Sequence, residues 1–123
     1  MTMERAELGR RGEERAARYL KKKGYRVVAK NFRCRGGEVD IVALDGATVV
    51  FVEVKTRSSR AYGPPKLAVD ERKQRQIERA ALTYLSEKGL FDRASARFDV
   101  VGIDVRGGSD EVEHIINAFD MKE

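Results

Sequence analysis

The chain has 123 residues, about one domain on the usual scale of roughly 100–200 residues, and can bury a core without a structural metal or disulfide framework. Charged residues make up 37% of it, against about 25% in ordinary domains, and the formal charge is +5. There is no apolar run near the roughly 18–20 residues of a membrane span, no apolar leader after Met1-Thr2-Met3, and Cys34 and His114 alone are too few for a disulfide or a Cys/His zinc site.

These exclusions lead us to expect a single cytoplasmic domain over residues 1–123, with no membrane partner, in which any metal is bound through oxygen. The first element is a helix from about Glu4 to Lys23. Ala6, Gly9, Glu13, Ala16, Ala17 and Leu20 fall on one face at about 100° per residue. Lys21-Lys22-Lys23 load its last turn, and Gly24 suits a left-handed stop.

Tyr25 to Arg33 reads as a first strand, with Val27, Val28 and Phe32 as its apolar residues. A second runs Glu38–Ala43 after Arg35-Gly36-Gly37, and Asp45-Gly46 signals a hairpin into a third, Val49–Lys55. The nearly unbroken apolar character of the third strand predicts a central position covered on both faces. Thr56–Leu67 is an irregular basic stretch broken by Gly63-Pro64-Pro65. Asp70 caps a second helix to about Lys88, with Ile77, Ala80, Ala81, Tyr84 and Leu85 as its buried stripe. A fourth strand near Arg97–Val105, a Gly107-Gly108 turn and a fifth near Val112–Asn117 complete the order α-β-β-β-α-β-β, an α/β mixed sheet flanked by helices.

Charge is unevenly spread. Residues 104–123 hold six acids (Asp104, Asp110, Glu111, Glu113, Asp120, Glu123) against Arg106 and Lys122, so the rest of the chain carries +9. Such a body favours a polyanionic partner, nucleic acid first.

Some charges occupy positions that packing should reserve for apolar residues. Simple alternation puts Glu38 and Asp40 on the face of Val42, and Glu53 and Lys55 on the face of Val49 and Phe51. Pairing 44 with 47 sets Asp40 opposite Phe51 and Glu38 opposite Glu53; pairing 44 with 49 sets Asp40 opposite Glu53. Either register gathers Asp40, Glu53 and Lys55 on one side of the hairpin. Facing carboxylates repel, and a hard divalent cation such as Mg²⁺ (or Mn²⁺) offsets that repulsion, with the Val54 carbonyl as a further oxygen ligand. Lys55 is placed to steady charge growing on a phosphate.

Glu13 breaks the stripe of the first helix in the same way, with Arg33 as an alternative ion-pair partner. Lys73 falls on the buried face of the second helix in its first turn. A buried ion-pair network without chemistry is the competing account of Asp40, Glu53 and Lys55. Glu38 reads as an edge-strand charge, His114 as a strand surface residue and Cys34 as an incidental thiol.

Asp40, twelve residues, then Glu53-Val54-Lys55 after a hairpin, preceded by a helical Glu, resembles the PD-(D/E)xK nuclease superfamily, with Val39 in the place of its proline. Gly12-Glu13 with Ala16 and Leu20, then Gly37-Glu38-Val39-Asp40-Ile41-Val42, then Phe51-Val52-Glu53-Val54-Lys55-Thr56-Arg57, are similar to the YraN-like uncharacterised bacterial family. Arg97-Phe98-Asp99-Val100 and Asn117-Ala118-Phe119 extend the likeness over nearly the whole chain.

The resemblance implies a restriction-endonuclease-like fold similar to archaeal Holliday junction resolvases. By that analogy Asp40 and Glu53 are Mg²⁺ ligands, Lys55 is the catalytic lysine, Glu13 is an accessory acid, and a homodimer suits enzymes that make paired cuts. The expected activity is endonucleolytic hydrolysis of DNA, branched or otherwise structured. Arg33, Arg35, Arg57, Arg60, Lys66 and Lys73 are the expected phosphate contacts. The alternatives are a nucleic-acid-binding module that cuts nothing, or an interaction subunit docking through its acidic C-terminal end.

Overall fold

The computed structural model describes residues 5–58, 69–106 and 109–121. Its elements are α1 (Arg5–Lys22), β1 (Arg26–Cys34), β2 (Gly37–Asp45), β3 (Thr48–Arg57), α2 (Glu71–Glu87), β4 (Ser95–Arg106) and β5 (Ser109–Phe119). The strands form one open mixed sheet in the order β1-β2-β3-β4-β5, with β3 and β4 parallel and every other pair antiparallel. The expected element order holds. Thr56 and Arg57 extend β3, whereas residues 59–68, with Arg60 and Lys66, and the turn at 107–108 lie outside the described residues.

The sheet separates two cores. Ala16, Ala17 and Leu20 of α1 cover Ile41, Ala43, Val50, Val52, Val101 and Ile103. Ile77, Ala80, Ala81, Tyr84 and Leu85 of α2 cover Val42, Val49, Phe51, Phe98 and Val100 on the opposite face. Val49–Val54 thus feed both cores in alternation, which is why β3 reads as a nearly continuous apolar run. Asp70 caps α2 as its sequence position predicts, accepting the Lys73 N–H at 2.9 Å.

Two details differ from simple patterning. The β1–β2 register shifts between Val27 and Ala29, so Val28 bulges out and is solvent-exposed rather than part of a core face. The β2–β3 hairpin closes with a two-residue loop, Gly46-Ala47, and pairs Asp45 with Thr48 and Leu44 with Val49. Gly46 supplies φ +58 at the first loop position, as a type II′ turn requires.

α1 reaches the sheet closely at Gly12, where an added Cβ would lie 1.7 Å from Thr56 Oγ1 and 2.7 Å from Thr56 Cβ. Gly12→Ala should therefore push α1 off the end of β3 and lower stability by about 1–2 kcal/mol, despite the higher helix propensity of Ala. Thermal denaturation measures this; an unchanged or higher Tm would show that α1 does not seat on Thr56.

At the opposite end of β3 a buried polar network ties four elements together. Asp99 of β4, fully buried, accepts from Arg97 Nε (2.9 Å) and Nη2 (3.1 Å), from His114 Nε2 (2.7 Å) and from the Asn117 N–H (2.9 Å). Arg97 continues to Asp45 Oδ2 (3.1 Å) and the Tyr25 hydroxyl (2.8 Å), and His114 Nδ1 meets the Tyr19 hydroxyl at 3.2 Å. The His114 side chain is only 2% exposed, so it is an interior partner of Asp99 and not the surface residue its strand position suggests.

Candidate active site

The β2–β3 ladder runs as far as Ile41↔Val52. That is the register that sets Asp40 across from Glu53. Beyond it the Val54 N–H donates to Asp40 Oδ2 at 2.8 Å, so a side-chain oxygen takes the place of a ladder carbonyl. In an extended strand the carbonyl of a residue leaves on the same edge as its N–H, which turns the Val54 oxygen towards Asp40 as well.

Alternation fails on this part of β2. Val39 and Val42, three residues apart, both pack in the α2-side core, with Ile41 on the α1 side between them. The shared face predicted for Glu38, Asp40 and Val42 is therefore not kept. Across the ladder, between Lys30↔Ile41 and Phe32↔Val39, stands Asn31 with φ 51, a left-handed backbone in the middle of β1. Asp40 consequently lies near the edge of β3, within the field of acids on both faces of the sheet.

On the α2 side, Glu53 is buried with only 3% of its side chain exposed. Its Oε2 lies 3.3 Å from Lys55 Nζ and 3.6 Å from Lys73 Nζ, while its Oε1 is buried without a hydrogen-bond partner. Burial, then the neighbouring Asp40 charge, push the Glu53 carboxyl up to about 8, against the pull of Lys73 and Lys55. Lys73 also donates to Glu38 Oε1 at 3.1 Å. Burial alone would lower the Lys73 ammonium, but the Glu53, Glu38 and Asp40 charges raise it. Glu38 sits between Lys73 and Arg33, whose Nε is 3.6 Å from Glu38 Oε2. It is an anchor for the cluster, on an interior strand, and not an edge charge.

On the α1 side, half-buried Glu13 is raised by burial and by Asp40, while the Asn31 side-chain amide, Lys30 and Arg33 lower it. Glu13 and Lys55 border a cleft of about 480 Å³ between α1 and the end of β3. Lys55 also borders a second concavity of about 260 Å³, with Lys73 and Gln76 on its α2 wall. Among the described residues no three His, Cys, Asp or Glu side chains gather closely enough to hold an ion unaided. The donor set nevertheless suits a cation that takes one or two carboxylates and keeps several waters, as Mg²⁺ does. The unpartnered Oε1 of Glu53 supports that fit, because a buried carboxylate oxygen without a partner is costly.

The other expected contacts are dispersed. Arg33 and Arg35 are exposed near Glu38, with the Arg33 side chain 74% exposed. Arg57 turns inward, its side chain 10% exposed and its Nε 3.6 Å from Asp104 Oδ1. Its partner was legible in principle, since parallel pairing sets Arg57 beside Asp104. Lys73 faces carboxylates and not open solvent. Asn31 escaped the sequence reading, although Asn is among the few non-glycine residues that readily adopt positive φ.

An open mixed sheet between two helices, with an acid–lysine cluster where two strands part, defines an α/β protein with one chemically loaded strand end. The chain belongs to the uncharacterised protein family UPF0102, whose family pattern matches residues 12–103. It is 54% identical over 121 residues to a UPF0102 protein of Geobacter metallireducens, covering 98% of each chain. A UPF0102 protein of Geobacter sulfurreducens is 56% identical over 115 residues, covering 93% of this chain and 89% of that one. One of Pelobacter propionicus is 55% identical over 116 residues, covering 92% and 82%. Among the described residues no helix is long and apolar enough to cross a membrane.

Proposed function

We propose that this protein is a metal-dependent endonuclease of the PD-(D/E)xK type that hydrolyses phosphodiester bonds in DNA, branched or otherwise structured. The observation that carries the reading is Glu53: a buried carboxylate with one oxygen between two lysines, the other without a partner, and Asp40 beside it. An arrangement that only stabilised the fold would satisfy both oxygens. Asp40, Glu53 and the Val54 carbonyl would hold Mg²⁺ or Mn²⁺, which when bound supplies Lewis acidity at the scissile phosphate.

The chain's own groups do the remaining work. Lys55, on the cleft wall, brings positive charge to the phosphate oxygens as negative charge grows on them. Lys73 and Lys55 together hold Glu53 Oε2 and so fix the direction of Oε1. Glu13 offers an acid on the opposite flank, and Arg33 and Arg35 bind backbone phosphates through charge. The concavities are shallow and continuous past Lys55, which suits a polymer backbone better than an enclosed small molecule.

The test is incubation with supercoiled plasmid and four-way-junction DNA in Mg²⁺, Mn²⁺ or EDTA. Metal-dependent cleavage is expected, falling about 10²–10³-fold in Lys55→Ala. Salt-sensitive binding without cleavage would establish the non-catalytic binding module instead. No binding at low salt would leave the acidic C-terminal end as the docking element.

A further inference from the structure

We propose that Asn31 is a positioning residue of this site, its left-handed backbone turning β1 so that its side-chain amide holds Glu13 against Asp40. The inference rests on the nuclease reading above for the value of that placement, but on the fold alone for the placement itself.

A non-glycine residue at positive φ inside a strand carries a local cost, and such strain persists only where surrounding structure demands it. At Asn31 the demand is visible. The residue stands across the ladder from Asp40, and the strands on both sides of that point stay in one register. Yet Ala29 and Phe32, three apart on β1, pack against the same α2-side core as Val39 and Val42, three apart on β2. The left-handed residue thus coincides with a change of face in both strands at once.

That change frees Asp40 from a core face and leaves it near the Val54 N–H. It also brings the Asn31 amide into hydrogen-bonding contact with Glu13, which reaches over from α1. An amide suits the role better than a cation or an acid. It donates to a carboxylate without adding charge to a cluster that already holds Glu13, Asp40 and Glu53.

Asn31→Gly separates backbone from side chain, since glycine accepts φ 51 without strain and lacks the amide. Asn31→Ala removes the amide and adds strain. Three readouts are needed: Tm, the ¹³C resonance of the Glu13 carboxyl in metal-free protein, and Mn²⁺ affinity by calorimetry. In Asn31→Gly the expected result is a Tm near wild type, a displaced Glu13 resonance and Mn²⁺ binding weakened about tenfold, the lower end for lost outer-shell support. Asn31→Ala should show both site effects with a lower Tm. An unmoved Glu13 resonance in Asn31→Gly overturns the proposal, and so does a moved resonance with wild-type Mn²⁺ affinity. If the wild type itself binds no Mn²⁺, the nuclease reading fails and the resonance alone decides whether Asn31 holds Glu13.

Discussion

Glu53→Gln should make the metal-free protein more stable above neutral pH while lowering cleavage on the order of 10³-fold. The stability gain comes from the raised Glu53 carboxyl, pushed up to about 8 by burial and by Asp40. Between its unfolded value of 4.5 and about 8, the folded state holds a proton that the unfolded state has released. Wild-type stability from this group is therefore fully present below pH 4.5, declines as pH rises and levels off above about 8. At about 1.4 kcal/mol per unit the accumulated loss is several kcal/mol at most, and part of it is relieved by relaxation around the site. Glutamine is neutral at every pH, so the variant should lack this decline. Denaturant unfolding at pH 5 and pH 8.5 measures it: the gap between variant and wild type should open at the higher pH. Added Mg²⁺ should narrow it by stabilising only the wild type. A variant less stable than wild type at pH 8.5 would mean that Glu53 is a well-satisfied structural charge, and the competing ion-pair account would stand.

Asp99→Ala is the complementary case, a buried acid whose removal should damage the fold. Burial alone would raise its carboxyl, but hydrogen bonds from His114, Arg97 and the Asn117 N–H hold it below the usual range. Truncation leaves a buried imidazole without its acceptor and an arginine with only Asp45 and Tyr25. The expected cost is about 3–5 kcal/mol, a fall in Tm on the order of 10 °C or more. Asp99→Asn should cost less, because its oxygen still accepts. The sign of the pH effect is opposite to that of Glu53. The Asp99 contribution is present above its unfolded value and is lost as pH falls through the lower folded one. A Tm within a few degrees of wild type in Asp99→Ala would mean that the network is not what joins β5 to the sheet.

Local pattern carried much of the fold because the relevant causes are local. The alternation in Val49–Val54 reflects two covered faces, Asp70 caps the helix directly after it, and the short hairpin limits Asp40 and Glu53 to a few registers. The convergence of Asp40, Glu53 and Lys55 was legible for that reason. The illegible part depends on contacts distant in sequence or on backbone choices that propensity leaves open. Nothing in Lys30-Asn31-Phe32 distinguishes a left-handed asparagine from an extended one, so the change of face at Asp40 could not be anticipated. His114 is interior only because Asp99 meets it across the β4–β5 ladder. Lys73 looked like a phosphate ligand because its proximity to Glu38 and Glu53 exists only once α2 docks.

The sheet closes on nothing: β1 and β5 each leave one flank unpaired. Both are irregular there, β1 at Val28 and Asn31, β5 around Asn117 with φ 55, where three of its residues face one of β4. A rim interrupted in this way offers few consecutive amides and carbonyls at strand spacing, and lysine, arginine and glutamate side chains stand along it. Neighbouring molecules in a crowded solution therefore find no template on which to add a sixth strand, and the chain is protected from fibrous self-association by the same backbone kinks that shape its chemistry.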